Sequence, residues 1–335
     1  MSTLSPALRL ATRQDGSRDG ELVIVSSSYR RCMPVPRIAR TLQEALDNWS
    51  TTAPRLEACC QRLDACGWAS CEPFDPAAAL APLPRAYQWA DASVYRNHAR
   101  LMYQWRREPI PDRYETEPLV YQGGSDVMLA GTAPIVGLSA AHGIDFEAEI
   151  AVVTTDVPLG ATLEQARNAI ALVVLVNDVS LRGLIPGELA RGFGFYQSKP
   201  ASSFAPVAVT PAALGHAWRD AMLHLPVRVE LNGEVFGTPN AGEETVFNFA
   251  QIIAHLTRTR ALCAGTIVGA GTISNADPST GSACVTEARV RQALSGWPDE
   301  AQQRYLQHGD RIRMEVLTDD GRSVFGAIDQ TVMNT

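Results

Sequence analysis

Four acidic side chains are placed where they could hold a cation. In the run Ile144–Val152 (IDFEAEIAV), Asp145, Glu147 and Glu149 alternate with Phe146, Ala148 and Ile150. Read as one extended strand, alternate side chains share a face, so the three carboxylates stand side by side. They repel one another unless water or a cation lies between them, and a solvated strand face is the simpler alternative. Asp178 closes the apolar run Ala171–Asn177 (ALVVLVN), where a strand leaves the core. Strand ends are where α/β proteins gather chemistry, and a carboxylate in such a place needs a partner. Arg182, four residues on, is one candidate partner and a metal ion is the other. An all-oxygen set of Asp and Glu suits Mg²⁺, Ca²⁺ or Mn²⁺ rather than zinc.

Two further residues suggest acid–base chemistry. Read as a helix, the segment from Asp91 to Arg107 (DASVYRNHARLMYQWRR) puts Asp91, Tyr95, His98, Met102 and Trp105 on one face, a mixed surface suited to a pocket wall. A lone His in such company is more often a hydrogen-bonded packing residue. The 29 basic residues are 28 arginines and a single lysine, Lys199. Where a surface needs only positive charge, Arg has replaced Lys throughout. A lysine retained against that bias marks a narrow site where a compact ammonium fits and a planar guanidinium does not. The Gly-rich stretch GAGTISNADPSTGS (269–282) is a weak motif, because no Lys follows to make a phosphate cradle. Glu287 lies just beyond it.

The elements that must position these residues follow from patterning. Residues 22–36 begin as an apolar strand and end in a Pro-rich break. Residues 41–70 carry apolar side chains at helical spacing, and Pro54 is expected to split them into two short helices. Pro73–Arg85 reads as a linker, placing a boundary near residue 80: a small N-terminal domain (1–80) and a larger domain (81–335). In the larger part, helices are expected at 93–107, 163–170 and 247–257, a buried strand at 171–179, and hairpins about Asn232-Gly233 and Asp320-Gly321. The fold class is α+β with a large β-rich C-terminal domain. A length of 335 residues with 46% hydrophobic and 19% charged residues suits an ordinary core-forming protein. The longest apolar run is far short of a bilayer span, and the first residues lack the apolar stretch of a secretory signal. A net charge of −7 argues against nucleic acid as a partner. Seven cysteines, an odd number with no Cys-x-x-Cys pair, read as unpaired thiols in a reducing, cytoplasmic setting.

Taken in order, these segments resemble the fumarylacetoacetate hydrolase family from about residue 85 to the C-terminus. Asp91 followed by His98, the acidic pair in DFEAE, the segment VNDVSLR, QSKP and GTIS each match a family segment. The resemblance implies a mixed β-sandwich roll and a divalent cation, Mg²⁺ or Ca²⁺ with Mn²⁺ possible, on Asp91, Glu147, Glu149 and Asp178. It implies His98 as general base oriented by Glu287, and Lys199 with Arg182 stabilising an oxyanion. It further implies Arg107, Tyr121 and Thr272 against a diketo acid substrate. Ile185 stands where the family has a substrate-binding Gln, leaving Gln197 as the replacement, and Ser93 stands where it has a pocket Tyr. The implied reaction is hydrolysis of a carbon–carbon bond in a 1,3-diketone acid by a cytoplasmic homodimer, with no membrane partner. Decarboxylation, hydration or isomerisation of a 2-oxo acid is the alternative.

Overall fold

The computed structural model describes residues 7–66 and 71–333. It is an α+β fold built on one twelve-stranded mixed sheet and a second, five-stranded sheet. Along the large sheet the strands run Glu72–Pro73, Arg31–Pro34, Glu21–Val25, Arg9–Arg13, Val207–Val209, Ile170–Asn177, Ala148–Thr154, Ile267–Gly269, Trp89–Ala92 and Val120–Gly123. The sheet is continuous across residue 80, because Arg9–Arg13 pairs antiparallel with Val207–Val209.

The central strands have apolar residues on both faces because both faces are covered. In Ala148–Thr154, Ile150 and Val152 face the core shared with the five-stranded sheet, where Val227, Val229, Ile312 and Met314 meet them. Ala151 and Val153 face the core beneath the N-terminal helices Leu42–Asp47 and Trp49–Cys66, with Leu42, Leu46, Leu56 and Leu63. The break between those helices falls at Asn48, whose backbone leaves the helical region (φ −129°). It does not fall at Pro54, which the second helix carries near its start. Residues 67–70 of that expected helical stretch lie outside the described residues.

The Asn232-Gly233 hairpin forms as expected, with both residues at positive φ (55° and 85°) between Val227–Leu231 and Glu234–Gly237. The turn at Asp320-Gly321 also closes a short antiparallel ladder, in which Leu317 faces Ser323, the Thr318 N–H donates to the Arg322 carbonyl (2.9 Å) and the Val324 N–H to the Val316 carbonyl (2.9 Å), before the chain runs on to the strand Ile328–Met333. Two expectations about faces are overturned. The run Ile144–Val152 is not one strand: Ile144–Asp145 pairs with Ser180–Leu181 in a separate small sheet, and the long strand begins only at Ala148. Asp91 is also not helical. It ends in the strand Trp89–Ala92, and the helix Arg96–Arg106 starts after it, so Asp91 and His98 do not share a helix face. Among the described residues no helix is long and apolar enough to cross a membrane, and Cys32, Cys59, Cys60, Cys71, Cys263 and Cys284 are free.

Candidate metal centre

Strand register brings the acids together. Glu149 pairs with Val176, Ala151 with Gly269, and Gly269 with Asp91. Glu149 shares its strand face with Ala151 and Val153, and Asp91 shares its face with Trp89, all on the side covered by the N-terminal helices. The intervening strand contributes Gly269, where a Cβ would lie 2.2 Å from Asp91 Oδ1 and 2.6 Å from the Trp89 ring. Only glycine leaves Asp91 that room. Asp178 follows the strand Ile170–Asn177 directly, and its N–H donates to the Glu147 carbonyl (3.0 Å). The result is three buried carboxylates, Asp91, Glu149 and Asp178, with one oxygen from each within 4.8 Å of the others.

Their electrostatics are unequal. Asp178 is well served: Oδ2 accepts from Tyr121 Oη (2.5 Å) and Lys199 Nζ (2.6 Å), and Oδ1 from Ser202 Oγ (2.7 Å). Asp91 Oδ1 accepts the Gly271 N–H (3.1 Å). Glu149 is fully buried, and neither of its carboxylate oxygens has a hydrogen-bond partner. Burial, then the charge of Asp178, pushes Asp91 well above the usual carboxylate range. Burial, then the charge of Asp91, does the same to Glu149. A buried carboxylate with two orphaned oxygens beside two more carboxylates fits a hard divalent cation, whose ligands are oxygens of this kind.

Glu147, expected as a fourth ligand, has another set of partners. Its Oε1 lies 2.9 Å from Arg182 Nη2, 3.0 Å from Lys199 Nζ and 2.5 Å from Ser180 Oγ, and Oε2 accepts from Thr272 Oγ1. Burial opposes its ionisation, but Arg182 and Lys199 outweigh that and hold it well below the usual range. Its backbone N–H is fixed by Asn177 Oδ1 (3.1 Å), and Asn177 in turn donates to Gln330 (3.0 Å). Asp145, which the broken strand separates from Glu149, binds Arg182 Nε (2.8 Å). It also accepts the N–H groups of Val285 (2.7 Å) and Thr286 (3.0 Å) at the start of helix Val285–Leu294. Lys199 is buried with its ammonium between Glu147 and Asp178, and it lies 5.1 Å from the Tyr121 ring centre. Burial would lower the Lys199 pKa, but Asp178 and Glu147 raise it further than burial lowers it. Burial, then Asp178, also raises the Tyr121 phenol.

A second unit joins two helices. His98 Nδ1 lies 2.9 Å from Glu287 Oε2, linking helix Arg96–Arg106 to helix Val285–Leu294. Burial opposes ionisation of Glu287, yet the His98 hydrogen bond, with help from Arg291 (3.0 Å), keeps it below the usual range. Asn97, next to His98, donates to Ser274 Oγ (2.8 Å) and Asn275 O (2.9 Å), which ties the helix to the loop carrying Thr272. Arg107 and Gln197 are exposed. Arg107 is the left-handed C-cap of its helix (φ 59°), and Gln197 gives its backbone N–H to Glu188 (2.8 Å). Sequence reading did not single out Ser202 or Glu188, since neither carries a spacing signal. Ser180 lay within the VNDVSLR segment without an assigned role.

The chain is similar to known proteins in both sequence and fold. The family model described as Fumarylacetoacetate (FAA) hydrolase C-terminal matches residues 88–333, and Fumarylacetoacetase N-terminal domain 2 matches residues 8–85. A 2,4-didehydro-3-deoxy-L-rhamnonate hydrolase from Sphingomonas sp. (strain SKA58) is 30% identical over 168 residues, 49% of this chain and 54% of the relative; the match spans about half the length of each. A probable 2-hydroxyhepta-2,4-diene-1,7-dioate isomerase from Mycobacterium abscessus shares the fold with a TM-score of 0.66 and 19% identity, over 98% of this chain and 99% of that one. A maleylpyruvate hydrolase from Sphingobium sp. SYK-6, solved with manganese(II) and pyruvate, superposes with a TM-score of 0.63 at 15% identity, over 97% and 99% of the two chains. With a family match across most of its length and a buried carboxylate triad able to hold a divalent cation, the chain belongs to the fumarylacetoacetate hydrolase family.

Proposed function

We propose that this protein is a divalent-metal-dependent hydrolase cleaving a carbon–carbon bond in a 1,3-diketone acid. The substrate is fumarylacetoacetate-like or acylpyruvate-like, arises in aromatic-compound catabolism, and is handled by a cytoplasmic homodimer. The observation that carries the reading is Glu149, fully buried with two unpartnered oxygens between Asp91 and Asp178. These three would hold Mg²⁺, Ca²⁺ or Mn²⁺, which when bound supplies Lewis acidity toward the substrate oxygens. Glu147 anchors Lys199 and Arg182 beside them.

The chain's own groups divide the remaining work. His98, with Nδ1 committed to Glu287, has Nε2 left to take a proton from water. The water oxygen then bonds to a carbonyl carbon, and Lys199, aided by Arg182, stabilises the negative charge that builds on its oxygen. When the carbon–carbon bond breaks, its electron pair leaves with the neighbouring carbon, which takes up the proton held by His98. Ionised Glu287 stabilises the imidazolium in between and fixes its tautomer. Tyr121 and Thr272, whose hydroxyls rest on Asp178 and Glu147, bind the substrate together with Arg107 and Gln197. The paired His98 and Glu287 favour hydrolysis over decarboxylation or isomerisation, which need no activated water.

The test is mass spectrometry of products from an acylpyruvate, a fumarylacetoacetate-like diketone and oxaloacetate, each with Mg²⁺, Ca²⁺ and Mn²⁺ in ¹⁸O-water. The proposal expects two acids from a diketone, one carrying a single ¹⁸O from solvent. A product of unchanged mass, or CO₂ from oxaloacetate with the diketones untouched, would overturn it in favour of an isomerase or a decarboxylase.

A further inference from the structure

The stretch linking Arg182 to Lys199 contains a carboxylate that the chemistry above does not use. Glu188 lies in the short helix Ile185–Leu189. Its Oε1 accepts the N–H groups of Gln197 (2.8 Å) and Tyr196 (3.2 Å), and its Oε2 accepts the N–H (3.2 Å) and Oγ–H (2.5 Å) of Ser198. Three consecutive backbone donors and a hydroxyl thus converge on one side chain, and all belong to the residues immediately before Lys199. From the other side the Leu181 N–H, next to Arg182, donates to the Ser198 carbonyl (2.8 Å). Residues 189–197 are exposed apart from Phe195. Leu189, Phe193 and Tyr196 are exposed, Gly192 and Gly194 have positive φ, and the packed aromatic is Phe195, edge-on to Tyr121 with ring centres 5.3 Å apart.

We propose that Glu188 is a positioning residue for Lys199: by gripping residues 196–198 it fixes the main chain from which the lysine reaches between Glu147 and Asp178. Lys199 is thus fixed at its ammonium by two carboxylates, and the main chain just before it is fixed by a third. A lysine stem has four rotatable bonds, and fixing its base reduces the number of conformations that must be lost to place the ammonium. The catalytic consequence rests on the function proposed above; the positioning itself does not.

The test exploits the fact that Lys199 is the sole lysine of the chain. Acylation of its ε-amine by an N-hydroxysuccinimide ester, followed by peptide mass mapping, reports its accessibility without any turnover. In the wild-type protein Lys199 should label slowly. Glu188→Ala should raise the rate about tenfold or more, because it removes several charge-assisted hydrogen bonds from an otherwise exposed segment. Glu188→Gln, which keeps one acceptor oxygen, should fall between the two. Ser198→Ala should give a rise of roughly twofold to threefold, and exposed Glu234→Ala should leave the rate unchanged. Melting temperatures of the same variants separate local loosening from unfolding, and Ser198→Ala carries the test if Glu188→Ala fails to fold. Wild-type labelling rates in both Glu188→Ala and Ser198→Ala would overturn the proposal. If those rates rise while the wild-type protein turns over no diketone, the positioning stands and the proposed function falls.

Discussion

Two buried acidic neighbourhoods lie side by side in this molecule, and they are balanced in opposite ways. Around Asp145 and Glu147 the carboxylates meet cations: Arg182 bridges both, and Lys199 reaches Glu147. Serine and threonine hydroxyls and helix N–H groups complete the set. Among the described residues no cationic side chain forms an ion pair with Asp91 or Glu149, and burial with the charge of neighbouring carboxylates drives both acids toward their protonated forms. Asp178 joins the two neighbourhoods through Lys199. The difference shows that acidity alone does not mark a metal site. What marks it is buried negative charge that the chain's own donors and cations do not answer.

The contrast can be broken or sharpened by substitution. The largest effect is expected from His98→Ala, which removes the proton acceptor without touching the triad. Turnover should fall by about 10²–10⁴-fold, while Mn²⁺ affinity measured by calorimetry stays at the wild-type value. Next is Glu147→Ala, which leaves each of two buried cations with one carboxylate instead of two and should cost about 3–5 kcal/mol in urea unfolding of the metal-free protein. Glu149→Gln is predicted to have the opposite sign: it relieves repulsion, so the metal-free protein should melt higher than wild type while metal binding is lost. If both substitutions destabilise the protein equally, the distinction between the neighbourhoods fails. Gly269→Ala, which pushes a Cβ against Asp91, should weaken Mn²⁺ binding by about 10–100-fold. The smallest effect is the pH dependence. Because Asp91 and Glu149 have raised pKa values in the folded metal-free protein, that state binds extra protons. Their contribution to stability is present below the unfolded carboxylate range and is lost as pH rises through their folded values. A metal displaces those protons, so the rise in melting temperature caused by Mn²⁺ should grow from pH 5 to pH 8.

Much of this site was legible in the sequence where chemistry and element coincide. Asp178 at the end of an unbroken apolar strand, the solitary Lys199 and the segments that supply Asp91, Glu147, Glu149 and Thr272 point to residues that the structure places in one connected buried cluster, whereas His98 pairs with Glu287 in a second unit and Arg107 and Gln197 are exposed. What could not be read was set by long-range register. IDFEAEIAV alternates well enough to look like one strand, but its first two residues pair with Ser180–Leu181 instead, which sends Asp145 to Arg182 and to a helix N-terminus. The helical face from Asp91 to Trp105 failed because Asp91 is drawn into the sheet beside Gly269, a partner 178 residues away in sequence. Glu188 gives no local signal at all: its four donors lie eight to ten residues further along, across a turn whose shape the sequence does not announce. Of the fold, local turns such as Asn232-Gly233 were readable. The continuity of the large sheet from the N-terminal strands to those bearing the carboxylates was not, because it depends on the pairing of Arg9–Arg13 with Val207–Val209.

The central claim is that Asp91, Glu149 and Asp178 hold a divalent cation and that Glu147 does not. Anomalous diffraction from crystals soaked in manganese(II) tests it directly. The account predicts one strong peak bonded to an oxygen of each of the three carboxylates, with Glu147 still paired to Lys199 and Arg182. Absence of a peak among the three, or a peak on Glu147 with its cations displaced, would contradict it.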